Sequence, residues 1–210
     1  MHRAQLLALA LALTTPLSAQ GASSSAGAPE TPYPALAVLD AFRSGCGTIE
    51  DQAAASESLA AAGWGNSDPS TRPAALTRFL DFALREGARL VSERDGTMSE
   101  MEVFERTIAG EQLYVVLSEV RVDGTRVSGC RLFDLGETRS IPIETAHAWL
   151  GREATKVIDR AEVTVATWEP GTLPGHDSFQ IFFVPAESPL KEVLFFDGVA
   201  LKSDTVGVLE

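Results

Sequence analysis

The chain has 210 residues, with 29 acidic and 17 basic side chains, a net charge of −12 and two cysteines. That balance argues against a nucleic-acid binder or a polybasic membrane-surface protein, both of which need clustered Lys and Arg. At 45% hydrophobic the chain is too apolar for wholesale disorder, and its two cysteines make neither a disulfide-dense miniprotein nor, alone, a four-ligand zinc set.

At the N-terminus, His2 and Arg3 precede the Leu/Ala run from Leu6 to Leu13; Thr14, Thr15 and Pro16 end it, and Leu17-Ser18-Ala19 offers a small residue at a cut. Residues 1–19 therefore read as a secretory signal peptide. The run is far short of the roughly 20 residues a helical membrane span requires, and no other stretch is long and apolar enough. Residues 20–34, rich in Ser, Ala, Gly and Pro, read as a flexible linker, and residues 35–210 as a single domain. Export implies a periplasmic or secreted protein in an oxidising compartment, so Cys46 and Cys130 are expected to form a structural disulfide. The rival reading is a reactive thiol, for which no C-x-x-C spacing exists.

Leu36, Leu39 and Phe42 mark a short first helix. Thr48 and Asp51 fit a capping box before an Ala-rich helix with Ile49, Ala53, Leu59 and Ala60 inward. Gly63 suits the left-handed residue past its end, and Trp64 the apolar contact back onto Leu59. After a loop, Pro73 opens the strongest helical pattern: Leu76, Phe79, Leu80, Ala83, Leu84 and Gly87, with a break or kink expected at Gly87. From Met101 the period changes to two. Glu102 to Ile108 and Gln112 to Val122 read as strands, and Asp123-Gly124 as a two-residue hairpin turn into Thr125 to Phe133. This register sets Leu117 opposite Cys130, on one face with Leu113, Val115 and Leu132. Pro142 to Leu150 reads as a short helix, Asp159 to Trp168 as one strand, and Ser178 to Val184 and Lys191 to Phe196 as strands apolar on both faces. Val199 to Lys202 follows as a last short strand. The expected fold is α+β: an antiparallel sheet with N-terminal helices packed on one face and one disulfide.

Candidate chemistry is sparse. His147 lies beside the apolar face of its helix, as a general base or, more in keeping with that position, as a packed histidine with one hydrogen bond. The nine-residue loop from Glu169 to Asp177 carries the other mature histidine, His176, beside Asp177; loops between rigid strands often bear function, and two prolines and two glycines equally describe a structural connection. His147, His176 and Asp177 are the catalytic candidates; Trp168, Glu169, His176 and Asp177 are the binding candidates. No H-E-x-x-H, G-x-S-x-G, S-x-x-K or phosphate-loop pattern occurs, so no metal site and no cofactor are expected.

The order Phe42-Arg43-Ser44-Gly45-Cys46, the Ala-rich helix ending Gly63-Trp64, Gly129-Cys130-Arg131-Leu132-Phe133-Asp134, Ala166-Thr167-Trp168-Glu169-Pro170-Gly171 and Gly175-His176 resembles small, functionally uncharacterised exported proteins of alphaproteobacteria. The resemblance covers most of the chain after the linker and implies a periplasmic address, with no site residue to carry over. Taken together, the expectation is a non-catalytic binding or protein-interaction module whose partner is an envelope protein or a small ligand. The alternatives are a hydrolase-type enzyme using His147 or His176, and a small-ligand carrier. The carrier requires an apolar cavity among the Phe-rich C-terminal segments.

Overall fold

The computed structural model describes residues 31–171 and 175–208; the expected signal peptide and all but the end of the expected linker lie outside the described residues. Helices α1 (Ala35–Gly45), α2 (Gln52–Ala61), α3 (Ala74–Glu93), α4 (Ile143–Leu150) and the single turn α5 (Lys191–Leu194) pack on a nine-stranded sheet. The strands are β1 (Gly65–Asn66), β2 (Thr97–Met98), β3 (Glu102–Ile108), β4 (Glu111–Val122), β5 (Thr125–Leu135), β6 (Lys156–Arg160), β7 (Val163–Trp168), β8 (Ser178–Val184) and β9 (Gly198–Val208). All pairings are antiparallel, in the order β1-β3-β4-β5-β9-β8-β7-β6, with β2 on β4. The fold is α+β, as the patterning implies. Two meanders, β3-β4-β5 and β6-β7-β8, are joined by the C-terminal strand β9 between them.

Both sheet faces are covered. On one, Val38, Leu39 and Phe42 of α1, Ala55 and Leu59 of α2 and Ala146 of α4 meet Leu113, Val115, Leu117, Leu132 and Leu201. On the other, Leu76 and Leu80 of α3 meet Tyr114, Val116, Phe133 and Ala200. The two-residue alternation along β4 sorts its side chains between these cores. The helical layer is thus divided: α1 and α2 share a face, and α3 takes the opposite one. No helix among the described residues is long and apolar enough to cross a membrane.

The β4–β5 hairpin has the expected register, with Val122 opposite Thr125, Val120 opposite Val127 and Leu117 opposite Cys130. Cys46, at the end of α1, and Cys130, in β5, form the disulfide, their Cα atoms 5.8 Å apart. The α2 end is a Schellman motif: Gly63 sits at φ 83°, its N–H donates to the Ala60 carbonyl, and the Trp64 N–H donates to that of Leu59. Trp64 is buried there beside Leu59.

Several expectations are corrected. The linker does not run to residue 34, because Tyr33 is buried in the α1 core and donates its hydroxyl proton to Asp134. Leu36 is exposed, and the buried positions of α1 are Ala35, Val38, Leu39, Ala41, Phe42 and Gly45. The cap of α2 is Asp51, whose carboxylate accepts from the Ala53 and Ala54 N–H groups, so Ala53 and Ala60 face out. Gly87 leaves α3 unbroken; a side chain there would run into Met98 Sδ. Asp159 to Trp168 is not one strand: β6 and β7 are a hairpin turning at Ala161-Glu162, with Arg160 opposite Val163. Lys191 to Phe196 is not a strand but the α5 turn, followed by Phe195 at φ 66°. The strand expected at Val199 to Lys202 continues to Val208.

Candidate functional site

His147 lies on α4, half-buried. Its Nε2 accepts a hydrogen bond from the Ala154 N–H at 3.1 Å, and its ring stands edge-on to Trp168 with centroids 5.9 Å apart. This is the packed-histidine arrangement. Trp168 is fully buried, stacked at 5.4 Å on Phe179, with its indole N–H donating to the Arg152 carbonyl. It is a core side chain and offers a ligand no face. Glu169, next along, is exposed.

The loop after Trp168 is fastened at both described ends; Thr172, Leu173 and Pro174 lie outside the described residues. Arg152 donates to the Pro170 and Gly171 carbonyls, and the Gly171 N–H donates to the His176 carbonyl at 2.7 Å. Gly171 is required by close approach, since a Cβ there would lie 2.5 Å from that of His176. His176 is 3% exposed. Its Nδ1 lies 2.9 Å from Ser203 Oγ, and it also hydrogen-bonds the Gly47 backbone. Ser203 Oγ donates to the Ser178 carbonyl at 2.7 Å and is itself buried. A hydroxyl whose proton is committed to a backbone carbonyl accepts from the imidazole, and the pair ties the loop to β9 without exposing a nucleophile. Burial pushes the His176 imidazole below its ordinary value, against the pull of the Gly47 backbone, Glu50 and Asp177. Its folded form stays neutral where the unfolded chain already binds a proton, so this group favours the fold above the ordinary histidine range and less as pH falls through it. Asp177 is exposed, and its carboxylate accepts from the Val206 N–H. His147 and His176 therefore serve separate contacts, and among the described residues no metal-ligand cluster includes either.

The cluster that does gather ligand-type atoms is Glu111, Asp134 and Glu137, within 4.8 Å of one another. Sequence spacing held no sign of it, because Glu111 and Asp134 meet across β4 and β5. Arg139 bonds Glu137 and, at 2.7 Å, Glu111. Tyr33 donates to Asp134 at 2.8 Å. The guanidinium thus stands where a cation would, and the cluster is a structural knot. Burial, reinforced by Glu111 and Glu137 and opposed by the Tyr33 hydrogen bond and Arg139, pushes the Asp134 carboxyl up to about 6. A carboxyl raised in the folded state is protonated there first, so its contribution to stability falls as pH rises from about 4 to about 6, by up to roughly 2–3 kcal/mol. Asp134→Asn is expected to remove this slope and to exceed the parent in stability above pH 6. Urea titrations of both proteins at pH 4.5 and 7 check this; parallel pH dependence would overturn the assignment.

Among the described residues, a shallow hollow of about 230 Å³ lies at the Asp95-Gly96 and Asp123-Gly124 turns, and two further cavities bear on ligand binding. A polar groove of about 710 Å³ runs beside the β4–β5 hairpin, with Arg72, Arg121, Arg126, Glu102 and Glu119 in its walls. Part of its polar lining is engaged: Arg121 pairs with Glu119, Arg72 bonds the neutral Ser67, and Gln52 and Ser56 bond Glu102. The second cavity, about 170 Å³, opens between α3, α5 and the sheet. Its walls are Phe79, Phe82, Phe133, Phe182, Phe195 and Phe196; Arg131 and Lys202 border one side, where the lining stays almost wholly apolar and their charged ends lie at the rim. Phe195 holds a left-handed φ of 66° and packs on Phe82 at 4.8 Å. That conformation is an outlier for a bulky residue and marks a site whose surroundings over-determine it. Val193, 67% exposed, stands at the mouth.

No protein-family model, curated protein or solved structure matches the chain.

Proposed function

We propose that the protein is an exported, non-catalytic binding protein and that the phenylalanine-lined cavity between α3, α5 and the sheet is its ligand site. The observation that carries this reading is the cavity itself, about 170 Å³ and walled by six phenylalanines. An apolar cavity of about 150 Å³ is enough to hold a benzene-sized molecule, and ligand sites are mostly apolar with a few polar groups placed at one side. Export is supported by the Leu/Ala run, by the Cys46–Cys130 bridge and by the absence of free cysteines among the described residues. It predicts a mature N-terminus near residue 20. The engagement of His147, His176 and Ser203 in packing and backbone contacts weighs against the hydrolase alternative.

Titration of the mature protein with indole tests the site. The melting temperature should rise with indole concentration by mass action, and amide shifts should concentrate around Phe133, Phe182 and Phe196. Ala200→Leu, which adds carbons at the cavity wall, should abolish both effects while leaving the far-ultraviolet spectrum unchanged. Absence of any localised shift in the parent protein, or binding unaltered in Ala200→Leu, would overturn the assignment.

A further inference from the structure

We infer that the natural ligand of this cavity is an amphipathic carboxylic acid, its apolar body among the phenylalanines and its carboxylate on Arg131 and Lys202. The inference rests on the cavity being the ligand site and adds the chemical class of the ligand.

Arg131 and Lys202 face each other directly across β5 and β9, on the sheet face that α3 and α5 cover. Two like charges opposite one another in a ladder repel. The carboxylate that answers them is Asp204. Its Oδ2 lies 2.7 Å from Lys202 Nζ, while its Oδ1 is 3.9 Å from Arg131 Nη2, beyond hydrogen-bonding distance. The hydrogen bond Arg131 does make is from Nη1 to Ser118 Oγ, a neutral acceptor, at 3.1 Å. Its side chain is 27% exposed, so the guanidinium is largely withdrawn from water without a hydrogen-bonded anion. Burial disfavours its charged form and Asp204 offsets part of that. A guanidinium presents a planar fork of donors that suits a carboxylate. One incoming carboxylate would give two cations two anions.

The apolar half of the ligand is bounded by the same geometry. A cavity of about 170 Å³ admits an aromatic ring or a short alkyl chain, not a long lipid tail, unless the chain leaves past Val193. A neutral apolar molecule would fill the aromatic walls but leave Arg131 as it is. A peptide segment would need an extended groove.

The test is a matched pair, 3-phenylpropionate and 3-phenylpropan-1-ol, titrated calorimetrically into the mature, oxidised protein, the parent and the variants Arg131→Gln and Lys202→Gln. The acid is expected to bind about tenfold or more tighter than the alcohol, the scale of a charge-assisted hydrogen bond. The preference should shrink as salt is raised. Arg131→Gln should bring the acid down to the affinity of the alcohol. Lys202→Gln should lower the acid in the same sense, and it keeps the test open if Arg131→Gln fails to fold. Equal binding of acid and alcohol by the parent would overturn this inference and leave the cavity as the ligand site. Binding of neither would overturn the site itself. A preference for the acid that survives both variants would place the carboxylate elsewhere and overturn the inference.

Discussion

Replacing Cys46 and Cys130 together by alanine is expected to lower stability by about 4 kcal/mol. The bridge spans 84 residues, and the loop-closure entropy it removes from the unfolded chain is worth roughly 4–5 kcal/mol, less whatever strain the native state carries. That is a large share of the ~5–15 kcal/mol available to a domain. Position adds to length. Cys46 caps α1, its N–H donating to the Phe42 carbonyl, and Cys130 lies at the middle of the α1-facing side of β5, paired with both β4 and β9. The bond therefore fastens the helical layer to the centre of the sheet. Urea unfolding of the double variant, and of the parent under reductant, measures the effect. A rise in the denaturant slope should accompany the loss, because the unfolded chain is freed to expand. A loss below about 1 kcal/mol would mean that α1 packing alone holds this layer. Indole binding should persist below the new melting point, because the phenylalanine cavity lies on the other face of the sheet.

The parts of the fold that were legible in the sequence are those governed by local rules. Asp123-Gly124 takes two consecutive left-handed residues, φ 51° and 71°, and that chemistry alone sets ten pairs of register from Leu113↔Asp134 to Val122↔Thr125. Gly63 and Trp64 announce a helix end in the same way. Ala161-Glu162 turns without a positive φ or a glycine, so nothing local divides β6 from β7. Lys191 to Phe196 is a short apolar run, and periodicity does not distinguish a strand from a turn of buried helix at that length. The second half of β9 looks like surface because Lys202, Ser203, Asp204 and Thr205 are polar. Ser203 and Thr205 are nonetheless buried, since their hydroxyls bond His176, Ser178 and Gly175 of the neighbouring loop. Those partners are supplied by tertiary structure. Histidines stand out in the sequence because they are the usual bearers of chemistry. The cavity instead needs α3 and α5 brought to the same patch of sheet. Its one legible trace was the density of phenylalanine after residue 178, and its cationic side depends on the β5–β9 pairing, which closes only when the C-terminal strand inserts between the two meanders.

Trp168→Ala is expected to cost about 3–5 kcal/mol, the range for deleting a fully buried aromatic side chain and leaving its cavity. Trp168 is 0% exposed and joins three elements: it pairs with Phe179 across β7 and β8, meets His147 of α4 edge-on, and hydrogen-bonds the Arg152 carbonyl at 3.3 Å. Trp168→Phe keeps most of the apolar volume and loses the indole donor, so it should cost distinctly less, on the order of 1–2 kcal/mol. The pair of variants separates two roles for this residue. A platform for a ligand loses affinity on truncation and changes stability little. A core residue does the reverse. Since Trp168 belongs to the core on the α1 side of the sheet and the phenylalanine cavity belongs to the other, indole affinity should match that of the parent in Trp168→Phe. In Trp168→Ala it should do so at any temperature where the variant remains folded. A Trp168→Ala protein as stable as its parent, but unable to bind indole, would return the ligand site to the β7 end of the loop and remove it from α3 and α5.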